Sequence, residues 1–150
     1  MALRSAGDVV SASTSVYVCD TLGELPELYS LAGVAFVGGS LTPLGGHSLL
    51  EAAQAEGGCA VLHGPHIETV EAAAGALASS DPPAAQLVTD AEELCRALHR
   101  LLSDAPALEA SRRAASRVAA ELEAGVLEAV WQELAGPLGL PSVPAAESTE

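Results

Sequence analysis

An α/β fold, a parallel sheet covered by helices, is predicted by two features of this 150-residue sequence. Short β-rich runs alternate with stretches of helical periodicity, and parallel strands need such crossover connections. The first three runs also end in polar or glycine-rich turns: DTLGE, GGSLTPLGGHS and GPHIE. Ligands of such sheets sit outside the carboxyl ends of the strands, so these three loops mark one edge as a candidate site.

The first run is SVYVCD at residues 15–20, a β-rich strand ending in a polar residue. Thr21 and Glu24 stand three apart, as in a capping box, ahead of Leu25, Leu28, Tyr29 and Ala32 at helical spacing. VAFVGG at residues 34–39 is too short for a helix and reads as the second strand. From Ser48 to Ala55 a helix is expected, with Leu49, Leu50, Ala52 and Ala53 on its apolar face and Gly57-Gly58 ending it. CAVLHG at residues 59–64 is the third strand, and residues 67–79 continue as an alanine-rich helix. The turn DPPAA leads into a brief fourth strand, AQLVT.

Thr89, with Glu92 in the reciprocal position, is expected to cap a helix whose stripe is Leu94, Ala97, Leu98, Leu101 and Leu102. A longer helix over residues 107–134 carries an apolar seam of Val118, Leu122, Val126, Val130, Trp131 and Leu134. Residues 1–14 read as a lead-in and 15–135 as the domain. Residues 136–150, with their prolines, glycines and terminal acids, read as a disordered tail. The abundant alanine is taken as compositional bias alone.

A formal net charge of −14, with six arginines and no lysine, argues against nucleic acid and against simple attraction to anionic lipid. No apolar run reaches the roughly 18 residues of a membrane span, and the first ten residues lack the pattern of an export signal. Three widely separated cysteines, Cys19, Cys59 and Cys95, fit reduced, buried thiols better than a disulfide framework or a zinc site, and no metal is expected.

The residues that can carry chemistry lie in the loops. Ser48 and Glu51 form S-x-x-E, which is a capping box in the plain reading. In the functional reading, free N–H groups near Gly45, Gly46 and His47 meet an anion at a helix start, and Glu51 takes a sugar hydroxyl. His47 and His66 each suit either an anion donor or a loop histidine bonded to backbone. His63, inside a strand, reads as a satisfied core residue, and His99 as solvent-facing. Asp20 suits a turn as readily as a site. A G-x-G-x-x-G fingerprint is missing, which counts against a standard nicotinamide domain.

Taken in order, CDTLGELPELYSLAGVAFVGGSLTPLGGHSLLEAA and GPH, with LRSAGD upstream, resemble the C-terminal half of 3-deoxy-D-manno-octulosonic acid (Kdo) transferases. The resemblance runs from about residue 3 to residue 134. It implies a Rossmann-like domain, the C-terminal half of a GT-B glycosyltransferase, that binds the sugar nucleotide CMP-Kdo as donor substrate and uses no cofactor. It places Gly38, Gly39 and Ser40 near the donor, the loop of Gly45, Gly46, His47 and Ser48 at its phosphate or sugar, and Glu51 at the cytidine ribose. Gly23 and Glu24 fall in the family's M-G-E-L-like motif, with Leu22 in place of Met. Gly64, Pro65 and His66 fall in its G-P-H motif. Where the family reads GGHNPLEP this chain has Ser48, Leu49 and Ala52, and Thr69 stands where an asparagine is usual.

The resemblance also implies an N-terminal domain absent from these residues. That domain would supply the acceptor site for a lipid A precursor, the membrane contact and the catalytic base, so no catalytic residue is assigned here. The start of the donor domain reads as trimmed, leaving the sheet short of a strand or with an open edge. The implied location is the cytoplasmic face of a bacterial inner membrane, or an organelle in a plant or alga. Two alternatives stand beside this reading: a non-catalytic module that binds a nucleotide or a partner, and the donor half of a GT-B enzyme using a UDP-sugar.

Overall fold

A computed structural model describes residues 1–138 of the chain. Its elements are β1 (Ala2–Leu3), β2 (Tyr17–Val18), α1 (Leu25–Leu31), β3 (Val34–Val37), α2 (Leu50–Gln54), β4 (Ala60–His63), α3 (Glu71–Ala78), β5 (Ala85–Leu87), α4 (Ala91–Ser103) and α5 (Ala105–Leu138). All strand pairings are parallel, as expected of an α/β chain, but they form two sheets: β1-β2 and β3-β4-β5. The expected first strand therefore pairs with Ala2–Leu3, in the segment read as a lead-in, and not with β3. Two side chains tie that segment down. Asp8 Oδ2 accepts the Leu3 N–H, and Asp20 takes both the Ser5 N–H and the Ser5 hydroxyl. Those bonds from Ser5 hold the Asp20 carboxyl below its usual range.

The three-stranded sheet is covered on both faces, and alternation along its strands shows it. Ala35 and Val37 of β3, with Val61 of β4, join α2, α3 and α5 in one core. Ala60 and Leu62, backed by Val34 and Phe36, meet Ala97 and Leu101 of α4 in the other. With both neighbours paired and both faces packed, β4 is buried along its whole length. Nine of the fifteen buried residues of the first core are alanine, so the alanines are contact residues and not mere compositional bias. Small side chains at Ala52, Ala53, Ala114, Ala115 and Ala119 leave α2 and α5 room to approach closely.

The loop ends are secured by specific bonds. Cys59, the buried one of the three cysteines, donates its thiol to the carbonyls of Tyr29 and Ala32 at the end of α1, at 3.2 and 3.3 Å. Burial pushes that thiol up, against the opposing charge of Arg112. Cys19 is half-buried and Cys95 exposed, contrary to the expectation that all three are buried. Arg112 Nε donates to the Gly58 carbonyl at 2.9 Å, which joins α5 to the turn that ends α2.

Several helix starts differ from the expected caps. α4 is capped one residue later than expected: Asp90 accepts the Glu93 N–H, and Glu93 reaches back to the N–H and hydroxyl of Thr89. Those bonds lower the Glu93 pKa. The helix expected over 67–79 begins only at Glu71. α5 begins at Ala105, its first turn tied by Asp104 Oδ1 to the Ala107 N–H, and runs on to Leu138. Of its seam, Val118 and Leu122 pack into the first core. Val126, Val130 and Leu134 are exposed, because the sheet and its helices end before them. Residues 139–150, most of the expected tail, lie outside the described residues.

Leu49 is fully buried at the start of α2 and touches the first core. Leu49→Ala is expected to destabilise the chain by about 2–5 kcal/mol, read as a lower urea midpoint with unchanged slope. A shift below half a kilocalorie would mean that α2 is not anchored through this side chain.

Candidate functional site

The loops after β3 and β4 meet at the carboxyl ends of the sheet, and Ser40 joins them. Its hydroxyl is fully buried, donates to the Val37 carbonyl at 2.5 Å and accepts the Gly64 N–H at 2.8 Å. Its carbonyl accepts the His66 N–H at 2.9 Å. Ser40, expected beside the ligand, thus spends its hydroxyl inside the protein. Gly64 lies so close that a Cβ on it would stand 2.1 Å from the Ser40 carbonyl oxygen. Only glycine permits that approach.

The second glycine pair packs on the other loop. Gly46 has φ of +68° and a Cβ there would stand 2.7 Å from the His66 carbonyl oxygen, with Ile67 beside it. The Thr69 hydroxyl donates to the Gly45 carbonyl at 2.8 Å. His47 turns back over Gly39: its Cδ2 and Nε2 lie 3.3 and 3.4 Å from the Cβ position of that glycine. The imidazole is exposed and has no hydrogen-bond partner among the described residues. Gly38, Gly39, Ser40, Gly45, Gly46, His47, Gly64 and His66 are therefore brought together. Pro65 is exposed at the tip of its turn, and His66 Nδ1 lies 3.5 Å from Glu68.

From Gly45 to Ser48, four successive backbone N–H groups have no acceptor among the described residues. The capping box that would have used this region is not formed. α2 starts at Leu50 with Leu49 at the cap position and no side-chain cap bond, and neither the Ser48 nor the Glu51 side chain makes a hydrogen bond. Glu51 is exposed on the first turn of α2, where its charge, after burial, raises the Tyr29 hydroxyl pKa. A free carboxylate, an exposed imidazole and a row of free amides are what an anionic, hydroxylated ligand requires.

Gly23 and Glu24 are not joined to these loops by any hydrogen bond or ion pair. Glu24 forms an ion pair with Arg4 at 2.7 Å and accepts the Thr21 hydroxyl at 2.5 Å, and it gives α1 no side-chain cap. The carboxylate of Glu24 in turn raises the Arg4 pKa. Thr69 was not among the expected site residues; it lies three residues after His66, at the position where the resemblance expects asparagine. His63 is the satisfied core residue expected. It is buried, and Nδ1 carries the proton because its partner at 2.8 Å is the Gly64 carbonyl. His99 is exposed, also as expected.

No arginine serves the site. Arg4, Arg96, Arg112, Arg113 and Arg117 pair with glutamates, and Arg100 donates to Gln86.

Ser40→Ala leaves the buried Gly64 N–H without its acceptor and is expected to cost about 1–3 kcal/mol. Gly64→Ala is expected to cost more, since backbone must move to admit the methyl. Urea denaturation of both variants measures this; wild-type midpoints would mean that the loops do not depend on this contact.

Comparison with known proteins adds a second line of observation. No family model matches the chain. It is 40% identical over 136 residues to an Arabidopsis thaliana protein named "Probable 3-deoxy-D-manno-octulosonic acid transferase, mitochondrial", covering 89% of this chain and 30% of that protein. It is 40% identical over 88 residues to the 3-deoxy-D-manno-octulosonic acid transferase of Chlamydia muridarum, covering 58% of this chain and 19% of that one. The chain thus spans less than a third of these relatives. Among solved structures, the C-terminal CMP-Kdo binding domain of WaaA from Acinetobacter baumannii superposes with a TM-score of 0.69 at 32% identity, covering 77% of this chain and 58% of that one.

Proposed function

We propose that the chain, a homologue of the C-terminal domain of the Kdo transferases, binds CMP-Kdo and is the donor-binding half of a glycosyltransferase. The observation that carries this reading is the row of free amides from Gly45 to Ser48, beneath an exposed His47 and at the carboxyl ends of β3 and β4. In the reading, those amides and the His47 imidazole hold the donor's phosphate or its Kdo carboxylate. Glu51 accepts the ribose hydroxyls of cytidine, a role its free and exposed carboxylate suits. Gly38 leaves the backbone bare beside the donor, Gly39 lets the His47 ring lie against the chain, and His66 flanks the donor from the second loop. Ser40 and Gly64 act from behind, by fixing where the two loops stand.

In the whole enzyme a hydroxyl of a lipid A precursor attacks the anomeric carbon of Kdo. The bond to the phosphate oxygen breaks, and CMP leaves with the electron pair. Hydrogen bonds from the loop amides stabilise the charge that builds on the leaving phosphate. The acceptor, the catalytic base and the membrane contact belong in this reading to a domain outside these 150 residues. No helix among the described residues is long and apolar enough to cross a membrane. The relatives divide between bacteria and a plant protein named as mitochondrial, which supports a bacterial inner-membrane surface in the one case and an organelle in the other.

For the chain alone, binding without transfer is a second reading, favoured by the small share of the relatives that it spans. Kdo transfer by these residues unaided would defeat it. Titration calorimetry tests the first reading. CMP and CMP-Kdo are expected to bind, UMP to compete poorly, and His47→Ala and Glu51→Ala each to weaken binding roughly tenfold, as expected for losing a hydrogen bond to a charged group. A folded chain with no affinity for CMP or CMP-Kdo would overturn the reading.

A further inference from the structure

We infer that Thr69 is a positioning residue for this site, setting through one hydrogen bond the direction in which the glycine-loop amides point. The inference rests on the donor-site reading above for its consequence, but not for its geometry. Between Leu41 and Ser48 two hydrogen bonds are present among the described residues. One is internal, from the Leu44 N–H to the Thr42 carbonyl. The other runs from the Thr69 hydroxyl to the Gly45 carbonyl at 2.8 Å, and it alone ties the loop tip to another element. Ser40 secures the base of the loop, five residues earlier.

The effect on the amides follows from peptide geometry. The Gly45 carbonyl and the Gly46 N–H belong to one planar trans unit, so their bonds point in opposite directions. Holding the carbonyl against Thr69 therefore turns the Gly46 N–H away from Thr69, where it has no acceptor among the described residues. The peptide between two glycines is the one in the loop with the fewest steric limits on rotation, since neither residue has a Cβ to oppose a flip. An external partner is needed to select one orientation, and Thr69 is that partner. Its methyl lies on the same side, with Cγ2 3.7 Å from where a Cβ on Gly45 would stand. Thr69 itself is exposed and outside both cores, so replacing it removes the tie without opening the protein interior.

Two substitutions in the full chain separate this role from a merely structural one. Thr69→Val keeps the shape and loses the hydroxyl, whereas Thr69→Ser keeps the hydroxyl and loses the methyl. Without ligand, the backbone order parameters of Gly46 and His47 are expected to fall in Thr69→Val from about 0.85 toward the flexible range below about 0.6, and to stay near wild type in Thr69→Ser. CMP affinity is expected to drop roughly three- to tenfold in Thr69→Val and to recover in Thr69→Ser, with the thermal midpoint of both near that of wild type. Wild-type order parameters and CMP affinity in Thr69→Val would overturn the inference, as would equal losses in both variants. Should wild type fail to bind CMP while the order parameters still respond to the hydroxyl, the tie stands and the donor-site reading falls.

Discussion

The approach of Gly64 to Ser40 is the constraint on which the site depends. Two strands of a parallel sheet end side by side, and the chain leaving each is free to go anywhere unless something holds it. Here the hydroxyl of one loop receives the amide of the other, and its carbonyl receives a second amide from His66. All three groups are polar and buried or half-buried, and each satisfies another. The glycine at position 64 is the steric condition for this exchange. Once the two loops are one unit, the packing of Gly46 on His66 and of His47 over Gly39 follows as a matter of reach.

Behind that unit the sheet is held from both sides, with β4 at its centre. The alanine-rich faces of α2 and α5 bring helix backbone close to the strands, and the first core is built from small side chains with a few large ones, Leu49 and Leu77 among them. Such a core tolerates little displacement, because many short contacts must be made at once. The loops therefore start from fixed points, while the tip of the glycine loop is held by the Thr69 hydroxyl on the Gly45 carbonyl.

Fold class was legible because periodicity reports burial: β3, β4, α4 and the first half of α5 lie where apolar spacing put them. Capping was misread for two different reasons. Glu24 pairs with Arg4, which no local pattern signals, and Ser48 and Glu51 match a capping box in type and spacing yet leave it unmade. The split into two sheets depends on which strands find each other, and two residues of β1 carry too little pattern to reveal it. The apolar seam of α5 was recognised over its full length, but periodicity cannot tell a packed stripe from an exposed one once a helix extends past the body it lies on. Within the site, spacing pointed to the glycines and His47, whereas the tasks of Ser40 and Thr69 follow from contacts 24 residues away in sequence.

The commitment of all six arginines elsewhere gives the site an unusual electrical setting. On the proposed donor-site reading, a chain of formal charge −14 meets an anionic ligand with neutral backbone dipoles and an imidazole, with no guanidinium at hand. The attraction is then short-ranged and confined to contact distance, while the long-range field of the protein opposes approach. On that same reading ionic strength acts in the reverse of its customary sense: added salt screens repulsion before it weakens any bond, and capture of the ligand quickens.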